Sequence, residues 1–473
     1  MTIMIKFGTD GWRAVMAEEF TFANVEIVAQ AIANYIKEQK IADRGVVIGY
    51  DNRFLAEEFA SRVGEVMAGN SIPVFITGTA CPTPVTAYAI LFQRAAGAVM
   101  LTASHNPAQY NGLKFIPEYA GPAVPAITER IEEHIKTLLE EGRVQKISQE
   151  KAIQENKWSK IFPQEKYLNS LKKIINIDLI KKADLKVVID PMFGAGIGYL
   201  EAFLKNSCQV KSLHSYRDPL FGGSLPEPTG NNLLKLKEEV VKSQADLGLA
   251  LDGDGDRFGI IDSDGTFISP NQVLVLLYHH LLINKKLGGP VARTVATTHL
   301  LDRMADKYGY QAVETPVGFK YIGQMMRERG CIIGGEESGG LSVKGHIPEK
   351  DGILAALLIT ELRGISGKPL LATLQEIEAD FGKLFSERLD LQTTAEQKSQ
   401  VLANLKEYYP AKLAGLPVVG RLTVDGTKLM LADGSWCLIR PSGTEPLFRI
   451  YVEAKSPEVL KQIQAEVKQE LNL

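Results

Sequence analysis

The sequence predicts an α/β protein: three α/β units with mixed sheets, followed by a smaller α+β unit at the C-terminus. Three observations carry this. Short apolar runs of strand length alternate with segments whose apolar residues recur at helical spacing. Glycine-rich or acidic turns follow several of these runs. Beyond Lys383 the pattern changes to closely spaced strands closed by one helix.

In chain order, Val46–Gly49 reads as a buried strand and Phe54–Met67 as an amphipathic helix. Ala98–Leu101 is another short apolar run, ending in a turn. Leu138–Lys160 is highly charged, helix-like and poor in strand signals, which marks a boundary. Lys186–Ile189 is a strand, followed by glycine-rich 193–198 and a helix through Leu204. Leu247–Leu251 and Gly259–Ile261 flank an acidic loop, and Asp264-Gly265 is the turn of a hairpin. A new strand–helix set starts near Ser269, and Gly364–Lys383 forms the next boundary. The closing helix is Pro457–Leu473. The expected units are therefore 1–150, 151–266, 267–375 and 376–473. A length of 473 residues fits about three to four domains.

Composition narrows the function classes. Hydrophobic residues at 45% and charged residues at 23% are ordinary globular usage, which excludes disorder and coiled coil. A net charge of −3 argues against nucleic acid or an anionic membrane as the main partner. Cys81, Cys208, Cys331 and Cys437 are widely spaced, so neither a disulfide framework nor a zinc site is indicated. The start MTIMIKFGTDGWR lacks a signal-peptide pattern, and no run approaches the ~18 apolar residues of a membrane span. The expectation is a cytoplasmic enzyme.

Four loops, one in each unit, have side chains suited to chemistry, and their distribution suggests one cleft lined by all four. In Thr102-Ala103-Ser104-His105-Asn106-Pro107, Ser104 follows a buried strand, where α/β sheets place ligands. Its hydroxyl suits a nucleophile or a phosphoryl carrier; alone, the segment also reads as an Asn-Pro turn. A Ser–His–Asp hydrolase is disfavoured because G-x-S-x-G is absent. In Asp252-Gly253-Asp254-Gly255-Asp256-Arg257, three alternate carboxylates can converge on a hard cation such as Mg²⁺ or Ca²⁺. Arg257 and Ser263 stand where an EF-hand needs glycine and glutamate, so that reading fails. The bland alternative is a solvated acidic turn.

The third loop, Gly334-Gly335-Glu336-Glu337-Ser338-Gly339-Gly340, suits hydrogen bonding to sugar hydroxyls or is a polar surface loop. Downstream, His346 and Lys350 in Lys344–Gly352 offer cationic groups to an anionic substrate, although a lone histidine there is more often a surface residue. The fourth, Arg440-Pro441-Ser442-Gly443-Thr444-Glu445-Pro446, combines a guanidinium, hydroxyls and backbone N–H groups, a set that matches a non-reacting phosphate; otherwise it is a turn between strands Trp436–Ile439 and Leu447–Val452. Gly194, Gly196 and Gly198 lack dinucleotide-loop spacing, and a P-loop motif is absent.

With these loops and the opening Phe7-Gly8-Thr9-Asp10-Gly11-Trp12-Arg13, the sequence resembles the α-D-phosphohexomutase superfamily, the phosphoglucomutase/phosphomannomutase family, over nearly its whole length. The resemblance implies four domains around a central cleft, the first three alike. It implies Ser104 as the phosphoserine; Asp252, Asp254 and Asp256, with Ser104, as the Mg²⁺ site; and Glu336 and Ser338 as sugar-orienting groups. Arg440, Ser442, Gly443 and Thr444 match the loop for the existing phosphate. Lys114 matches an acid/base lysine, for which a lowered pKa would serve, and Arg13, Arg53 and Arg257 match arginines near the phosphoserine. Lys320, in Thr315-Pro316-Val317-Gly318-Phe319-Lys320, and the His346–Gly352 segment resemble phosphoglucomutases, as does Glu336-Glu337-Ser338. Dual phosphomannomutase/phosphoglucomutases usually carry Met at the place of Glu337 and His at that of Gly340.

The implied reaction is Mg²⁺-dependent interconversion of glucose 1-phosphate and glucose 6-phosphate. Glucose 1,6-bisphosphate serves as intermediate and activator. Alternatives are a phosphomannomutase, a glucose-1,6-bisphosphate synthase fed by fructose 1,6-bisphosphate, and, from another class, a catalytically silent sugar-phosphate sensor. Hexose phosphates are the expected partners, and the expected assembly is a monomer or homodimer.

Overall fold

The computed structural model describes residues 5–8, 10–442 and 447–472. Among these residues the strands form four sheets. The first orders Trp12–Val15, Tyr110–Pro117, Gly97–Leu101, Val46–Tyr50, Val74–Thr77 and Trp158–Ile161. Its middle pairings are parallel, and Tyr110–Pro117 runs antiparallel to both neighbours. Val46–Tyr50 and Gly97–Leu101 are buried along their whole length, as expected for strands covered on both faces. Helices Phe22–Glu38 and Ala56–Gly69 pack together beside this sheet; Thr21 caps the first of them, accepting from the Asn24 N–H.

Strand Trp158–Ile161 lies beyond the expected end of the first unit at 150, within a segment read as poor in strands. It pairs in parallel with Val74–Thr77 as an edge strand. Ser159 and Lys160 are exposed, so it carries none of the continuous apolar pattern of its neighbours.

The second sheet orders Phe267–Ile268, Phe258–Asp262, Leu247–Leu251, Lys186–Asp190 and Gln209–Ser212. Phe258–Asp262 and Phe267–Ile268 form the hairpin turned by Asp264-Gly265, with Gly265 at φ +85°. The third sheet orders Ala312–Thr315, Val291–Thr294, Ile333–Gly335 and Leu341–Val343. The fourth orders Phe385–Gln392, Leu447–Ala454, Trp436–Pro441, Thr427–Leu431, Leu416–Leu422 and Lys412–Leu413, all antiparallel, with helix Pro457–Glu470 packed on it.

The cores divide unevenly. The first and fourth units each carry their own apolar cluster. The second and third share one, running from Tyr167 through Leu251 and Tyr278 to Phe381 and taking in Cys81 and Val85 of the first. Helix Gly352–Ser366, buried over most of its length, joins them: it packs on Ile177–Ala183, on Pro270–Ile283 and on the strands either side of the acidic loop. The third and fourth units meet through a small cluster containing Val295, Ala296, Trp436, Leu438 and Tyr451. No helix is long and apolar enough to cross a membrane among the described residues.

Candidate active site

Ser104 sits just past the C-terminal end of strand Gly97–Leu101, in left-handed backbone (φ 51°) and almost fully buried. That conformation costs a non-glycine residue about 1–2 kcal/mol, so the surroundings must impose it. They do so through Asp51, Arg53 and Thr102. The Ser104 N–H donates to Thr102 Oγ1 (2.8 Å), and Thr102 Oγ1 donates to Asp51 Oδ2 (2.6 Å). Arg53, with no side-chain exposure, donates through Nη2 to the carbonyls of Ser104 and Asn106 (2.7 Å each). Its Nη1 reaches the carbonyls of Pro107 and Tyr110, and its Nε reaches Asp51 Oδ2. All five side-chain N–H groups are thus committed beneath the loop. Arg53 therefore lies next to Ser104, as expected, and holds the loop's backbone from below. Arg13 lies differently: its Nη1 donates to Asn106 Oδ1 (2.8 Å).

The Ser104 hydroxyl donates to Asp252 Oδ2 (2.9 Å), joining the first unit to the acidic loop of the second. His105 Nδ1 is 3.3 Å from the Ser104 hydroxyl oxygen. Burial, then the charges of Arg257 and Arg13, push the His105 imidazole well below its ordinary pKa.

Asp252, Asp254 and Asp256 are all buried, and each places a carboxylate oxygen within 4.8 Å of the others. Asp254 Oδ1 and Asp256 Oδ1 are buried without a hydrogen-bond partner. Two orphaned carboxylate oxygens beside a third carboxylate fit a hard divalent cation. Burial, then the charges of Asp254 and Asp256, push Asp252 well above the usual carboxylate range, the electrostatic stress that a cation relieves.

The loop's shape comes from contacts on three sides. Thr83, opening helix Thr83–Gln93 of the first unit, donates its N–H to the Asp254 carbonyl and its hydroxyl to Asp254 Oδ2 (2.6 Å). The Ala195 N–H donates to the Gly253 carbonyl, and the Gly352 N–H to the Gly255 carbonyl. A Cβ on Gly253 would lie 2.5 Å from the Ser104 carbonyl, so only glycine allows the two loops to meet this closely.

Lys114 Nζ lies 2.9 Å from Asp10 Oδ2, 2.9 Å from Asp254 Oδ2 and 3.1 Å from Asp256 Oδ2. Burial opposes its charge, but these three carboxylates outweigh burial and raise its pKa. The expectation of a lysine with lowered pKa is therefore not met in this structure. Lys350, read as a substrate cation, is engaged by Asp10, Asp256 and Glu349 at 3.3, 3.4 and 2.9 Å. Arg257 has its guanidinium 3.7 Å from Glu227, and its Nε is buried without a partner.

The sugar-loop carboxylate Glu336 is buried and accepts from the Gly318 N–H (2.9 Å). Burial, then the charge of Glu337, push its pKa up to about 7. Ser338 is half-buried beside it. Lys320, in the first turn of helix Phe319–Arg329, lies with Nζ 5.4 Å from the Tyr321 ring centre. His346 is the clear departure. Its Nε2 is 2.7 Å from Asp351 Oδ2, its ring stacks on Tyr88, and its side chain is 2% exposed. Asp351 also accepts from Tyr167, so His346 belongs to an aromatic packing cluster rather than to the substrate surface.

In the fourth unit, Arg440 Nε lies 3.0 Å from Asp425 Oδ1. Ser442 is buried; its N–H donates to the Leu447 carbonyl, and its own carbonyl accepts from Lys398 Nζ. Gly443 and Thr444 lie outside the described residues. Arg449 stands directly across from Arg440 in the register. Sequence reasoning assigned no part to Asp51, Thr83, Glu349 and Asp425. Of these, Glu349 stood inside the His346–Gly352 segment, and Asp425 carried only an Asp-Gly pair that reads as a plain turn.

Comparison with known proteins gives a consistent picture. The families described as phosphoglucomutase/phosphomannomutase alpha/beta/alpha domains I, II and III match residues 4–141, 165–265 and 269–381, and the corresponding C-terminal domain matches 395–470. The chain is 31% identical to a phosphoglucomutase/phosphomannomutase of Thermococcus kodakarensis, covering 96% of this chain and 95% of that protein. It is 32% identical to a Methanosphaera stadtmanae protein named "Probable phosphoglucosamine mutase", covering 97% and 96%. A Thermus thermophilus crystal structure described as a "putative phosphomannomutase" superposes with a TM-score of 0.86 at 33% identity, covering 100% of both chains.

Proposed function

This chain belongs to the phosphoglucomutase/phosphomannomutase family and is a phosphohexomutase; from that premise we propose that it moves a phosphoryl group between Ser104 and the hydroxyls of a hexose phosphate, interconverting glucose 1-phosphate and glucose 6-phosphate. One observation carries this reading above the others: the Ser104 hydroxyl lies 2.9 Å from Asp252, at the edge of a buried three-carboxylate cluster.

In the proposed cycle, phosphorylated Ser104 donates its phosphoryl group to a sugar hydroxyl. The Oγ–P bond breaks, a sugar O–P bond forms, and the proton lost by the sugar hydroxyl ends on the freed Ser104 oxygen. The sugar 1,6-bisphosphate turns over in the cleft, and its other phosphate returns to Ser104. Asp252, Asp254 and Asp256 would hold Mg²⁺, which would supply positive charge near the transferring group. Arg53 and Thr102 keep Ser104 aimed at that point. Lys114 adds a fixed ammonium beside two of the carboxylates. Glu336, Glu337 and Ser338 accept from the sugar hydroxyls, and Arg440 with Ser442 holds the phosphate that is not reacting.

The test is a product assay by ³¹P NMR with Mg²⁺, glucose 1-phosphate and a trace of glucose 1,6-bisphosphate. Conversion to glucose 6-phosphate is expected, and Ser104→Ala should lower it by at least ~10³-fold while leaving the fold intact. Full turnover in Ser104→Ala removes the phosphoserine route. Higher kcat/KM for mannose or glucosamine phosphate would replace glucose as the substrate. Net formation of glucose 1,6-bisphosphate at the expense of fructose 1,6-bisphosphate would establish a synthase.

A further inference from the structure

The turn that ends in Asp425-Gly426 has a place in the fold that the catalytic reading leaves unused. Gly426 takes φ +92°, and a Cβ there would lie 2.5 Å from the Ile439 carbonyl and 3.1 Å from Arg440 Cα. Only glycine lets the turn approach so closely. The approach brings the Asp425 carboxylate to the Arg440 guanidinium, with Oδ1 3.0 Å from Nε. The other oxygen, Oδ2, accepts from the Val317 N–H at 3.0 Å, across the boundary between the fourth and third units. The next residue along, Gly318, donates its N–H to Glu336 Oε1 at 2.9 Å.

One carboxylate therefore bridges the two ends of the substrate site. On one side is the arginine assigned to the non-reacting phosphate; on the other is the backbone that orients the sugar-loop glutamate. We propose that Asp425 is a positioning residue that couples the phosphate arginine Arg440 to the sugar loop of the third unit, so that the two halves of the substrate are gripped together. This rests on the reading of Arg440 as a phosphate-binding residue.

The physical argument has two parts. A guanidinium ion-paired with a carboxylate 3.0 Å from its Nε is held near its place before phosphate arrives, so less side-chain freedom is lost on binding. A carboxylate shared between units also makes seating of the fourth unit and ordering of segment 316–318 one event. Phosphate bound at Arg440 then favours the backbone position that holds Glu336, and sugar bound at Glu336 favours the seated fourth unit. An enzyme that must retain a bisphosphate while it turns over gains from such coupling, because a loosely seated fourth unit would let it escape.

The experiment compares Asp425→Ala and the near-isosteric Asp425→Asn with the wild type, each also in an Arg440→Ala background. The substrate is the hexose 1-phosphate that the wild type turns over fastest. Two quantities are read: KM, and the fraction of bisphosphate released per turnover. Asp425→Ala should raise KM by about tenfold, the loss of one charge-assisted contact, and should raise bisphosphate release in parallel. In the Arg440→Ala background the same substitution should change KM by less than about twofold, because the partner it acts through is gone. Wild-type KM and release in Asp425→Ala would overturn the proposal, as would an equal effect in both backgrounds. Asp425→Asn carries the same test if the alanine variant fails to fold. A wild type without turnover sinks the phosphoserine reading alone; Asp425 is then judged by calorimetric binding of glucose 1-phosphate in the same four-protein cycle.

Discussion

Glu336 shows how one buried residue ties the site to pH. Burial and Glu337 hold its carboxyl near pKa 7, while an unfolded glutamate titrates near 4.3. Between those values the folded protein binds a proton that the unfolded chain does not. Stability attributable to this group is therefore present at low pH and falls as pH rises through about 4.5 to 7. Glu336→Gln keeps a neutral side chain at every pH. Its melting temperature relative to wild type should rise by about 2 °C or more between pH 5 and pH 8. An unchanged difference between the two pH values would mean that Glu336 is not held neutral. The same residue illustrates what the sequence could disclose. Glu336, Ser104 and the three aspartates stand in short motifs whose residue types suggest a candidate chemistry. Asp10, Lys114 and Lys350 form one ion network, yet they are separated by up to 340 positions. No local pattern reports such a meeting, and His346 was misjudged for the same reason: its partners Tyr88 and Tyr167 lie far upstream.

The elements divide along similar lines. Strands Val46–Tyr50, Gly97–Leu101 and Leu247–Leu251 are buried on both faces, so their apolar runs made them legible. Trp158–Ile161 was not, because an edge strand exposes polar side chains and looks like the charged helices before it. The loop after Gly97–Leu101 carries the proposed nucleophile Ser104, and Arg53 suspends it from four carbonyls. Lysine has three donors on a point charge and cannot reproduce that fork. Arg53→Lys should lower kcat by about 100-fold through a misplaced Ser104, with KM changed by less than about threefold. Intact-mass measurement of Ser104 phosphorylation by the bisphosphate should slow to match. Wild-type kcat in this variant would mean that the loop holds its shape without the guanidinium.

Across the whole molecule, the second and third units share one core while the fourth has its own, attached through a narrow contact. Lys428 is central to that contact. Its ammonium is buried, donates to the Val295 carbonyl and Glu314 Oε2 at 2.8 Å each, meets His299 Nε2 at 2.9 Å, and stands over the Trp436 ring. Burial, then the charge of Arg293, bring its pKa down to about 8, so its place depends on keeping these partners. Lys428→Met should loosen the fourth unit by about 2–3 kcal/mol, seen in calorimetry as a separate transition below the main one. A single unshifted transition would show that the apolar cluster alone holds it. The acidic loop poses the opposite situation. It is pinned by Thr83 of the first unit, Ala195 of the second and Gly352 at the head of the helix in the shared core. The loop's shape is thus a joint product of separate units. A first unit without Thr83 would leave the Asp254 carbonyl and one of its carboxylate oxygens short of a donor, so the units cannot be exchanged one at a time without disturbing the acidic cluster.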